Sequence, residues 1–90
     1  MTTTHPFTIH KNVNSSAVEE ISLQPASDGT LSYDATIIFR GGREYVYNVE
    51  DDATAEKWYS LLSNDEDRAS ISWGAEVNRA IRHGDIELAS

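Results

Sequence analysis

The stretch from Thr36 to Tyr47, Thr-Ile-Ile-Phe-Arg-Gly-Gly-Arg-Glu-Tyr-Val-Tyr, constrains the fold more than any other part of the chain. Ala35, Ile37 and Phe39 share one face of a strand, and Tyr45, Tyr47 and Val49 share one face of the next beyond the paired glycines. Two apolar-alternating runs around a glycine turn specify a β-hairpin. A three-residue connection at Gly41-Gly42-Arg43 with a left-handed glycine sets Phe39 opposite Tyr45 and Ile37 opposite Tyr47. A two-residue turn would pair Phe39 with Glu44 and mix polar with apolar side chains. Register is strongly specified where one face is buried, so the three-residue version is expected.

The flanking segments extend this pattern on both sides. Residues 17–24 place Glu19, Ile21 and Leu23 on one strand face, and Asp28-Gly29 supplies a tight reversal before the hairpin. After the hairpin, Glu50, Asp51 and Asp52 suit the positive end of a helix dipole, and either aspartate is a cap for a helix running through about Leu62. Its stripe is Ala55, Trp58, Tyr59 and Leu62, flanked by Leu61. Residues 63–67 read as a polar, acidic loop. Ser72 caps a second helix from about Trp73 to His83, which Gly84 ends. Its apolar face is Trp73, Val77, Ala80 and Ile81, with Arg79, Arg82 and His83 toward the negative end of the dipole. The tail Asp85-Ile-Glu-Leu88 alternates and suits a short strand or a lid.

The resulting expectation is an α+β fold, an antiparallel three-stranded β-meander followed by two α-helices packed on one face. Residues 1–13 form an N-terminal arm in which Phe7 and Ile9 suit a short edge strand or a frayed end, and residues 14–90 form the domain. Ninety residues suffice for one hydrophobic core and not two.

Composition narrows the chemistry. With no cysteine, the chain has no disulfide, thiolate ligand or thiol nucleophile. No apolar run approaches the roughly 20 residues that span a bilayer. The first six residues lack the basic and apolar parts of a signal peptide, so a cytoplasmic location is expected, that of the host if the gene is viral. Fifteen acids against seven bases, a formal charge of −8, argue against direct binding to nucleic-acid phosphate. The acids are spread along the chain, which suits solubility or an acidic surface that imitates nucleic acid.

Two pieces of the chain together resemble the KTSC domain, a small module named for its place at the C-terminus of some lysyl-tRNA synthetases. One is Ser15-Ser16 leading through a strand to the hairpin that ends Gly42-Arg-Glu-Tyr45-Val-Tyr47-Asn-Val49. The other is Ser72-Trp-Gly74 with Asn78 and Ile81-Arg82, which is similar to the family's Ser-x-Gly-x-x-x-Asn-x-x-Ile-Arg ending. The resemblance covers about residues 14–83. Glu50 stands where the family usually has a proline, Val77 where it usually has an aromatic, and the 63–71 loop is longer and more acidic. The resemblance implies no enzymatic activity, and it implies a bacterial or phage origin, as a stand-alone protein or an appendage.

No metal, cofactor or catalytic site is expected from the residues. His5, His10 and His83 lack short ligand spacing, and the acidic clusters lack a calcium-loop pattern. The serines lack a nucleophile elbow, and Ser15 and Ser16 read as turn residues. A small hydrolase or metal-dependent enzyme is therefore only a remainder. Arg40 and Arg43 flank glycines that the hairpin already needs, and a phosphate loop would open a helix rather than return into a strand. Asn78 and Arg82 stand four apart beside the buried helix face. Asn78 could tie the helix to a hairpin carbonyl, or form a polar contact patch with Arg79 and Arg82. The expected function is a non-catalytic interaction module, phage- or prophage-encoded, that binds a host or viral protein through Asn78, Arg79, Arg82, Arg40 and Arg43. A nucleic-acid-linked role is the alternative, through RNA contact or acidic mimicry. A monomer, or a homodimer formed at exposed strand edges, is expected.

Overall fold

A computed structural model describes residues 7–26 and 32–89. These residues fold into an α+β structure with five antiparallel strands and three helices. The strands are β1 (Ile9–Asn12), β2 (Val18–Pro25), β3 (Tyr33–Phe39), β4 (Glu44–Val49) and β5 (Ile86–Leu88), and they lie in the sheet in that order. Between β4 and β5 come α1 (Asp52–Ser63), α2 (Asp65–Ser70) and α3 (Trp73–His83). The expected three-strand, two-helix arrangement is thus the centre of a larger one. The arm contributes β1, the tail contributes β5, and the acidic segment after Ser63 is helical. The Asp28-Gly29 reversal and His5 lie outside the described residues.

Residues 63–67 were expected to be a polar, acidic loop, but Asp65, Glu66 and Asp67 open α2, whose six residues bury nothing. The helix holds through local bonds instead. Asn64 Oδ1 accepts the Asp67 amide at 3.0 Å, and Arg68 donates to the Leu62 carbonyl at 2.6 Å and to Asp65 at 2.8 Å. Three acids in the first turn and Arg68 in the last complement the dipole.

The hairpin forms with a register two residues from that expected. Ile37 faces Tyr45 and Ala35 faces Tyr47, while the Phe39 amide bonds the Arg43 carbonyl at 2.8 Å. The loop is therefore Arg40-Gly41-Gly42, closed by Gly42 N–H on the Phe39 carbonyl at 3.0 Å. Gly41 at φ 96° and Gly42 at φ 90° both take conformations that a side chain resists. A shift of two preserves the faces, so the apolar pattern alone could not distinguish the two registers. On β2 the register shifts between Val18 and Glu20. This bulge puts Val18, Ile21 and Leu23 on the buried face and leaves Glu19, expected on one face with Ile21 and Leu23, to reach Arg40 at 3.7 Å.

One core joins sheet and helices: Ile21, Leu23, Ile37 and Val49 meet Trp58, Leu62, Trp73 and Val77, all nearly inaccessible. The two indoles cross edge to face at 6.0 Å and 89°, with their N–H groups bonded to Glu76 and to the Arg68 carbonyl. Both tryptophans are core residues. Asp51 is the α1 cap, accepting from the Ala53 amide and the Thr54 hydroxyl. Ser72 caps α3, and Gly84 ends it at φ 76° with Asp85 N–H on the Ala80 carbonyl and Gly84 N–H on Ile81, a Schellman pattern. Phe7 stacks on Tyr33 and meets Tyr59 at a tilt of 41°, each at 4.4 Å, fastening the arm to α1.

Candidate functional site

The placement of α3 decides which side chains reach solvent. Its first turn lies against the β1–β2 connection so closely that a Cβ on Gly74 would stand 2.9 Å from the Ala17 Cβ. The Ala17 carbonyl accepts the Arg40 amide at 3.0 Å, which ties that connection to the β3–β4 loop. The other end of α3 turns through Gly84 into β5, whose Ile86 lies opposite Val49 at the far end of β4. The helix thus crosses the sheet obliquely. The corner at the loop end of β4 and the outer end of β5 lies beyond its cover.

That corner holds side chains which strand parity assigns to the helix side of the sheet. Phe39 is half-buried, Tyr45 is 38% exposed and Leu88 55% exposed, and the Phe39 and Tyr45 rings meet edge to face at 5.8 Å. Ile81, on the last full turn of α3, is also exposed. Tyr45 and Ile81 were expected to be interior. The expectation fails because strand and helix periodicity report a side's direction, whereas cover depends on where the opposing layer ends.

The five residues expected to bind a partner divide into two groups. Arg79 is tied inside the fold: its guanidinium grips Glu76 at 2.8 and 3.2 Å and reaches Asp85 at 3.3 Å. Arg40 donates to the Ser15 carbonyl at 3.0 Å, which holds the β1–β2 turn. Ser15 is itself a turn residue, with its amide on the Val18 carbonyl. Asn78, Arg82 and Arg43 are exposed, and no hydrogen bond or ion pair engages them among the described residues. The tie from Asn78 to a hairpin carbonyl does not form. Arg43 lies opposite Phe39 in the ladder, on the side of Tyr45. Among the described residues, no bond joins the hairpin arginines to the α3 group.

Glu76 anchors the most elaborate polar cluster. It accepts from Trp58 Nε1 at 2.8 Å and from Arg79, and Lys57 stands 3.3 Å away. Burial alone would raise its pKa, but the bonds from Arg79 and Trp58 and the charge of Lys57 outweigh it, holding the carboxyl at about 2. The same hydrogen bond to Glu76 raises the Arg79 pKa. A carboxylate held this far below neutral pH and already accepting several bonds is a structural anchor rather than a poised acid or base. Burial also raises the Tyr33 and Tyr47 phenols. Among the described residues, no three of His, Asp or Glu converge as metal ligands.

Among the described residues, no helix covers the opposite face of the sheet. Glu20, Asp34, Glu44 and Glu87 lie on it around half-buried Ile38 and Val46, and His10 pairs with Glu20 across β1 and β2. Sequence reasoning did not single out this face or Leu88. The alternation of residues 85–88 was the available signal. Among the described residues no helix is long and apolar enough to cross a membrane. Comparisons with protein-family models, with curated proteins and with solved structures found no match to this chain.

Proposed function

We propose that this chain is a non-catalytic interaction module whose corner beside α3 binds a protein partner. The observation that carries the reading is the exposure of the large apolar side chains Tyr45, Ile81 and Leu88 together with that of Arg43, Arg82 and Asn78, none of the latter engaged within the described fold. Tyrosine and arginine are the side chains that most often anchor interfaces. The resemblance to the KTSC domain supports the same class, since it brings no catalytic residues with it. It further suggests a gene of phage or prophage origin and a partner in the bacterial cytoplasm. Affinity capture from bacterial lysate with the native chain, beside Tyr45→Ser and Arg82→Glu, tests this. One co-purifying protein should appear with the native chain and be lost with either variant. No enrichment above background, or equal enrichment by all three, overturns the reading.

The second reading is a nucleic-acid-linked role, and the open sheet face favours acidic mimicry over RNA contact. Arg40 and Arg79 are engaged by the fold, whereas Glu20, Asp34, Glu44 and Glu87 share one face. Under this reading the chain displaces RNA from a basic RNA-binding protein, while filter binding shows no RNA retained by the chain itself.

A further inference from the structure

We propose that the outer edge of β5 takes up an extended segment of the partner as a sixth strand, and that this segment alternates apolar with basic residues. The inference rests on the interaction reading above and names the chemistry of what it binds.

The two edges of the sheet differ in how they are protected. On β1 the positions facing the helix layer are Ile9 and Lys11, the latter opposite buried Ile21. A charge pointing toward the core side of an edge strand is a device that blocks pairing, because an added strand would have to bury it. On β5 the corresponding positions are Ile86 and Leu88, both apolar, and Leu88 is 55% exposed. Nothing charged faces inward there. The Ala89 amide bonds the Val46 carbonyl at 2.8 Å, so in an antiparallel ladder residues 87 and 89 are the ones that bond β4. The N–H and C=O groups of Ile86 and Leu88 therefore point away from β4, along the open edge.

Parity then sets the composition of an incoming strand. Its side chains on the helix side would lie beside Leu88 and would extend the apolar corner. Those on the other side would lie beside Glu87, in the same row as Asp34 and on the face that carries Glu20 and Glu44. A lysine or arginine across from Glu87 is a favourable cross-strand pair. A second copy of this chain fits less well, since antiparallel pairing of two β5 strands about their centres sets Glu87 directly against Glu87. Strand addition gives affinity through main-chain bonds and specificity through alternate side chains.

The probe is a fluorescein-labelled heptapeptide of alternating lysine and valine, titrated by anisotropy and by amide hydrogen exchange. Controls are an alternating glutamate and valine peptide, and a peptide with the same lysines and valines in two blocks. The alternating basic peptide should bind at least about fivefold more tightly than either control. It should slow exchange at the Ile86 and Leu88 amides. Glu87→Lys should reverse the preference between basic and acidic peptides. Leu88→Lys, at an exposed position that tolerates a charge in the free protein, should abolish binding. Equal affinity for all three peptides, no binding, protection at β1 instead of β5, or a β5-paired dimer of the native chain each overturns the proposal. If capture from lysate is lost with Tyr45→Ser but unchanged by Leu88→Lys, the interaction reading stands and the strand addition fails.

Discussion

Glu76 and Gly74 are the single residues on which most depends. Glu76 has a folded pKa of about 2 against an ordinary 4.5, so the folded state binds its proton less readily than the unfolded chain. Its contribution is complete above about pH 4.5 and disappears as the pH falls toward 2. The loss is on the order of 2 to 3 kcal/mol. Urea unfolding at pH 7 and pH 3 should show this decrease in the native chain and a much smaller one in Glu76→Gln. At pH 7 that variant should be about 2 kcal/mol less stable, since Arg79 and Lys57 lose the charge they face. Gly74 is helical and its value lies in close approach, with Ala17 Cβ 2.9 Å from where its own Cβ would be. Gly74→Ala should cost about 1 kcal/mol net, because overpacking exceeds the gain in helix propensity. Adding Ala17→Gly should recover most of that loss in the same denaturation experiment.

At the scale of elements, each helix was legible to the extent that its ends and its stripe were written locally. Asp51, Ser72 and Gly84 all act at the termini where their chemistry placed them. Asp51→Ala should lower the thermal midpoint with a loss of about 1 kcal/mol, as a cap serving two donors is removed. Gly84→Ala should cost a similar amount through the left-handed backbone it must keep. Circular dichroism melts of both variants check these values. The α2 helix escaped notice because it has no buried stripe, and short helices without one leave no periodic signal. The hairpin's faces were legible while its register was not, since sliding by two residues preserves every inward-facing side chain. The closure at Phe39–Gly42 made the difference. On β2 the bulge after Val18 reversed the phase, which strict alternation cannot anticipate.

For the molecule as a whole, helices and strands share one core with no independent sub-layer. The radius of gyration is 12.3 Å, close to the roughly 12 Å of a compact chain of this length. Both tryptophans sit where the helices meet the sheet. Unfolding followed by tryptophan fluorescence and by far-ultraviolet circular dichroism should therefore give one coincident transition. Separate transitions would mean that the helical layer comes away from the sheet before the strands separate. Four carboxylates, Glu20, Asp34, Glu44 and Glu87, share the open sheet face, while Arg43 and Arg82 lie on the helix side of the molecule. This division is what separates the two functional readings.

The amino-acid sequence determined, without help from the rest of the fold, the hairpin, the two longer helices, their caps and the inward direction of most apolar side chains. These follow from local backbone preferences and from periodicities of two and 3.6 residues, which act over a few neighbours. Tertiary structure alone decided that Arg40 is bound to the distant Ser15 carbonyl, that Tyr45, Ile81 and Leu88 remain uncovered, and that β1 and β5 are the sheet's edges. Each of these depends on where one layer stops above another and which distant carboxylate or carbonyl stands within reach. Such distances are set by the packing of α3 against Ala17 and its turn into β5, and no pattern confined to one segment contains them.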